Sequence, residues 1–276
     1  MEKILIALDN INMNESAVRF ACYLAKQTDS ILTAVFLDPL EIREEITCKQ
    51  TANSTYFESH TVLANEDEIS VAKRHDNITL FKKWAEEESA QVFIHTDKGI
   101  PFDEIIAESR FADALIVDAA FSVQGADENQ PTDFVKDILH DAQCPVIVCH
   151  EPPEWIDNII FCYDGSKSSI FAMKQFAHLL PELKSKRIKI IYLNAEEEMT
   201  KDDEDKITEW LMHHYTNDIE WLTLQDDSRT AFFDYLIKKK NDFVVMGSYG
   251  KGLLLSFFEK EKGTATLGLP IFVSHL

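Results

Sequence analysis

Short uninterrupted apolar runs alternate with segments of helical period along the chain, and the same order occurs twice. The run Ile4–Leu8 closes on Asp9, and the run Ile159–Tyr163 closes on Asp164-Gly165-Ser166. Each predicts a buried strand ending in an acid. A polar stretch and an amphipathic segment follow in both cases. In Glu15–Gln27 the residues Ala17, Phe20, Ala21, Leu24 and Ala25 share one helical face. In Ser168–Leu180 the same face carries Ile170, Met173, Phe176, Ala177 and Leu180. Second strands are predicted at Ile31–Leu37 and Ile188–Leu193. Further on, a helix opened by Ile100-Pro101-Phe102 leads into the strand Ala114–Asp118, and Ala231–Ile237 leads into Phe243–Gly247. Each half ends on a proline-led strand, Pro145–His150 and Pro270–His275. Proline suits the first residue of a strand, where no ladder donor is lost.

The predicted fold class is therefore α/β. Two tandem doubly wound parallel-sheet (Rossmann-like) units, residues 1–150 and 155–276, are joined by the stiff connector Glu151-Pro152-Pro153-Glu154. Left unpaired, the two closing strands would be apolar edges, so the units are expected to pack as a pseudo-dimer. Residues 38–70 fit neither copy. Glu41–Ile46 could start a helix, Thr51–His60 shows no period, and a long helix is expected near Glu66–Ser89.

Composition narrows the partners. The chain has 276 residues, 45% hydrophobic, with 27 Lys+Arg against 48 Asp+Glu and a formal net charge of -21. Such a field disfavours nucleic acid and anionic membrane surfaces. Charge is also uneven: residues 1–153 carry 12 basic and 28 acidic side chains, and the remainder 15 and 20. The five cysteines have no CxxC spacing, and three lie inside apolar runs, which predicts reduced core residues in a cytoplasmic protein. No apolar stretch reaches the length of a membrane span.

An apolar strand ending in Asp, a helix a few residues later, Met246-Gly247-Ser248-Tyr249-Gly250 after the fourth strand of the second half and a Pro-led closing strand together resemble the universal stress protein family. The resemblance covers nearly the whole chain twice, except 38–70. The closing Pro270–His275 strand is similar to that of tandem members from Bacteroidetes-like bacteria. In nucleotide-binding members the acid of the first strand contacts the adenine region, and a Gly-x2-Gly-x9-Gly-Ser/Thr stretch wraps ribose and phosphates. Glycine allows close backbone approach there, and amide groups receive the phosphates.

The first half departs from that pattern. Asp118 and Phe121 stand where the two glycines belong, and Thr132-Asp133 falls at the Gly-Ser/Thr pair counted back from Pro145. The second half keeps more. The resemblance marks Asp164, Gly165, Ser166, Leu193, Gly247, Gly250, Gly263 and Thr264 as candidate cofactor-binding residues, with ATP and magnesium as the ligand. Gly263-Thr264 comes three residues late, after Lys260, and Phe257-Phe258 fall on the place counted from Pro270. Each residue also has a structural reading. Asp164-Gly165-Ser166 can turn the chain and cap a helix, and Gly247 and Gly250 can serve only a turn.

No HExxH, GxSxG or P-loop lysine pattern occurs, and catalysis is not expected. His213-His214 reads as a solvated pair, and the acid runs Glu86–Glu88 and Asp202–Asp205 read as solvated faces or helix N-terminal charge. The leading expectation is a non-catalytic stress-response or regulatory protein that binds no cofactor and acts through protein contacts, with its two units paired intramolecularly and the whole chain able to form a homodimer besides. One alternative is an ATP-binding switch using only the second unit. Another is a small-molecule or adenylate enzyme on a related fold, with Lys251 near the phosphates.

Overall fold

The computed structural model describes residues 1–10, 12–37, 42–51, 54–63, 68–96, 100–122, 131–193, 199–223, 228–247 and 268–274. The first half runs β1 (Lys3–Asp9), α1 (Glu15–Gln27), β2 (Ile31–Leu37), β3 (Ile42–Thr51), β4 (Ser54–Leu63), α2 (Glu68–Glu88), β5 (Val92–Thr96), α3 (Pro101–Ser109), β6 (Ala114–Asp118), α4 (Asp133–Asp141) and β7 (Val146–Cys149). The second runs β8 (Asn158–Tyr163), α5 (Lys167–Leu179), a short 3-10 turn (Pro181–Ser185), β9 (Arg187–Tyr192), α6 (Lys201–Met212), β10 (Ile219–Thr223), α7 (Ser228–Leu236), β11 (Asp242–Gly247) and β12 (Ile271–Ser274).

Ten of these strands form one sheet in the order β10-β9-β8-β11-β12-β7-β6-β1-β2-β5. Within each half's share of this sheet every pairing is parallel. The halves meet through their closing strands, which pair antiparallel with Ile271 opposite Val148, Phe272 opposite Ile147 and Val273 opposite Val146. The junction thus hides two apolar edges from water and from edge-to-edge aggregation. Parallel strands need cover on both faces, and two buried layers provide it. Phe20, Phe36, Phe81, Phe161, Phe176, Phe243 and Phe272 belong to one layer. Leu5, Ile105, Leu115, Ile138, Phe232 and Val244 belong to the other. The first layer crosses the junction: Phe20 of α1 meets Phe243 of β11 edge to face at 5.9 Å.

The helices begin where side chains satisfy their first amides. Asn14 caps α1 by accepting from Ser16 N and Ala17 N, and Ser166 caps α5 by accepting from Ser169 N. Thr200 caps α6, whose first turn carries Asp202, Asp203 and Glu204 against the positive helix end.

Residues 38–70 correct one expectation. Of the segment Glu41–Ile46, where a helix could start, Glu41 lies outside the described residues and Ile42–Ile46 are strand. β3 and β4 pair antiparallel as a separate two-stranded ribbon, from Ile42 opposite Leu63 to Thr51 opposite Ser54. The Thr, Tyr, Phe and Val content of Thr51–Leu63 suits strands, and the absence of helical period was the usable signal. Among the described residues, no helix is long and apolar enough to cross a membrane, and Cys22, Cys144, Cys149 and Cys162 are buried free thiols. Burial pushes the Cys22 and Cys144 thiols up to about 12, which keeps them protonated and unreactive.

Candidate functional site

In an open α/β sheet, ligands enter beyond the strand C-termini where the strand order reverses. Here that point is β1 beside β6 in the first half and β8 beside β11 in the second. The chain reaches the two crevices by equivalent elements that carry different side chains.

In the first half, Asp118 ends β6 with its side chain only 14% exposed. Its carboxylate accepts from Asn14 Nδ2 at 2.7 Å, from Ala120 N at 3.0 Å and from His150 Nδ1 at 2.8 Å. Asn14 Nδ2 also donates to the His150 carbonyl oxygen at 2.6 Å, while its Oδ1 caps α1. One asparagine therefore ties the helix start to the ends of two strands. The bonded Asp118 carboxylate raises the His150 pKa above its ordinary value, against the lowering effect of burial. Phe121 is buried and lies 4.9 Å, ring to ring, from Phe134 of α4. Thr132 donates its hydroxyl to the Phe121 carbonyl, accepts from Val135 N and receives no help from Asp133. Asp133 is exposed and pairs with Lys136 at 2.9 Å, so Thr132, not Asp133, stands at the head of α4. The family's glycine positions are occupied by a bonded carboxylate and a buried ring. Among the described residues, no donor cluster for a phosphate remains in this loop.

The second half presents different groups at the equivalent strand ends. Asp164 follows β8, half-buried, and its Oδ1 accepts from Ser166 N at 3.0 Å. Gly165 has φ 81, a left-handed conformation that favours glycine. Ser166 accepts from Ser169 N at 3.1 Å as the cap of α5, and Leu193 N donates to the Tyr163 carbonyl at 2.8 Å. Asp164, Leu193 and Gly247 thus terminate three adjacent strands, β8, β9 and β11, at one edge. Gly250, Gly263 and Thr264, together with Lys251, Phe257, Phe258 and Lys260, lie outside the described residues.

Gly247 has a packing role that sequence alone did not separate from ligand approach. A Cβ there would lie 2.5 Å from the Ser168 carbonyl carbon and 2.6 Å from its carbonyl oxygen and Oγ. The glycine lets β11 pass directly under the first turn of α5. Sequence reasoning also missed Asn14 and His150; the signal available was their chemistry at a helix start and a strand end beside Asp118. A groove of about 840 Å³ lies elsewhere, lined by Phe102, Arg110, Asp113 and Cys144 from the first half and Phe171 and Gln175 from α5. None of the candidate residues lines it.

No family model and no curated protein matches the sequence. Solved structures do. A universal stress protein from Archaeoglobus fulgidus DSM 4304 is 12% identical, with 98% of each chain covered and a TM-score of 0.64. A functionally unknown protein from Pseudomonas aeruginosa PAO1 is 12% identical over 100% of this chain and 92% of its own, with a TM-score of 0.57. A protein from Pseudomonas aeruginosa UCBPP-PA14 designated a universal stress protein is 12% identical over 100% and 93%, with a TM-score of 0.56. At that identity the likeness speaks for the backbone and not for the site: the chain has the universal stress protein fold.

Proposed function

We propose that this chain is a cytoplasmic stress-response protein of the tandem universal stress type, which works by contacts with other proteins and performs no catalysis. The observation that carries this reading is the hydrogen-bonded carboxylate of Asp118 at the crevice of the first half. Asp118 brings a negative charge to the place where a phosphate loop would begin, and its three hydrogen bonds hold it there. An anion entering this crevice would meet that charge in a half with 28 acidic and 12 basic side chains. A fold shared with ligand-binding proteins can serve packing and recognition alone.

The second reading is an ATP-dependent switch confined to the second half. It draws on Asp164, Gly165, Ser166, Leu193 and Gly247, which cluster at one sheet edge. Calorimetric titration of the full chain with Mg-ATP separates the two. The first reading expects no heat of binding up to millimolar nucleotide. Micromolar or tighter binding, unchanged by Asp118→Gly and weakened by Asp164→Ala, would replace it with the switch.

A further inference from the structure

His213 and His214 do not act as the solvated pair that their adjacency suggests. His213 caps the C-terminus of α6 and is exposed. His214 turns back: its Nδ1 lies 3.0 Å from the Trp210 carbonyl oxygen, and its ring stacks on the Trp210 indole at 4.0 Å and 27°. The other face of the arrangement is His178, in the last turn of α5. Its ring stands 5.5 Å from that of His214 at 67° and 6.2 Å from Trp210.

A carbonyl oxygen only accepts, so the proton of neutral His214 sits on Nδ1 and the lone pair is left on Nε2. Metal-binding histidines are commonly held in this way, with the second nitrogen donating to a backbone carbonyl. Indole stacking fixes the ring plane as well. Two imidazole nitrogens, each about 2.0–2.1 Å from one ion at a tetrahedral angle, place their ring centroids about 5 Å apart. The observed 5.5 Å is reached from there by a small rotation of the exposed His178. Electrostatics points the same way. α5 ends at Leu179 and α6 at Met212, so both rings stand at helix C-termini, where the aligned peptide dipoles favour a cation.

We propose that His178 and His214 bind one divalent transition-metal ion between them, clamping α6 to α5. Among the described residues, no third His, Cys, Asp or Glu completes a cluster of three, so the ion keeps water in its remaining positions. Two imidazoles suit zinc, nickel or copper; calcium and magnesium prefer all-oxygen shells.

The test is calorimetric titration of the tag-free full chain with Zn²⁺, repeated on His178→Gln, His214→Gln, the double variant and His213→Gln. The expected result is one ion per chain, an affinity about tenfold or more weaker in either single variant and no binding at this site in the double variant, with His213→Gln unchanged. Because His214 is half-buried and stacks on Trp210, the exposed His178→Gln supplies the arm that disturbs packing least. Cu²⁺ gives an independent readout, since an ion held there quenches the nearby Trp210 fluorescence. Wild-type protein that takes up no Zn²⁺ at millimolar concentration, or a double variant that binds as tightly as wild type, would overturn the proposal.

Discussion

Replacing Asp118 by alanine probes the network that fills the first crevice. The carboxylate accepts three hydrogen bonds, at 2.7 Å, 2.8 Å and 3.0 Å, and bonds to charged groups contribute about 1.5–3 kcal/mol each. The side chains are 14% exposed for Asp118 and 23% for His150, so water replaces part of what is lost. The expected destabilisation is about 2–4 kcal/mol, below the roughly 4.5 kcal/mol at which the summed bonds begin, because water takes over part of them. At about 2–4 °C per kcal/mol for a chain of this size, the melting temperature should fall by roughly 4–16 °C. The effect should depend on pH with a definite sign. The folded-state pKa of His150 is raised, first by its hydrogen bond to Asp118 and also by the charges of Asp118 and Glu151, while burial opposes. The folded state therefore binds the proton more tightly than the unfolded chain. The added stability is fully present below the unfolded value of about 6.5 and is lost as pH rises through the folded value. Urea unfolding of wild type, Asp118→Ala and His150→Gln between pH 5.5 and 8.5 measures the difference, with NMR titration of the His150 ring as the direct check. An Asp118→Ala penalty equal at both ends of that range, or a His150 ring that titrates at or below about 6.5, would refute the reasoning.

Two further outcomes follow from packing. Gly247→Ala puts a methyl group 2.5–2.6 Å from Ser168 backbone atoms, so α5 must shift, and thermal unfolding should show a loss of about 1–3 kcal/mol even with no nucleotide present; an unchanged melting temperature would mean that α5 moves freely. Phe176→Ala empties a fully buried position that touches Phe161, Phe243 and Phe272 at 5.8, 5.0 and 5.2 Å and should cost about 3–5 kcal/mol in denaturant titration.

Most of the framework was legible because buried parallel strands and amphipathic helices leave periodic traces. Glu15–Gln27, Ile31–Leu37, Ala114–Asp118 and the two closing strands lie where their patterns predict them. The ribbon of β3 and β4 was not legible, since it stands outside the ten-stranded sheet and Thr51–His60 shows no period in the sequence. At the site, the sequence identified Asp118 as a departure from a glycine but not what the aspartate does. That depends on Asn14 and His150, 104 and 32 residues away along the chain, and their approach is a property of the folded sheet. Gly247 carried the opposite ambiguity: a glycine written for close approach looks the same whether the approaching group is a phosphate or a helix.

The two halves answer one geometric problem in different ways. Asp118 lies beside Cys149 as Gly247 lies beside Ser274, and each stands at the strand end that passes under the first turn of its half's leading helix. In the second half the helix comes so close that only glycine fits beneath Ser168. In the first half Asn14 caps the helix, and Asp118 spans the gap through a hydrogen bond to it. Restoring the second-half arrangement in the first would therefore take more than Asp118→Gly. It would leave His150 Nδ1 without its carboxylate and the crevice still lined by the buried Phe121. The bonded Asp118 carboxylate and the buried Phe121 ring make separate contacts, so loss of either alone leaves the other in place. On that account the difference of the first half lies in its packing as much as in its charge, and removing the charge alone should not create a phosphate site.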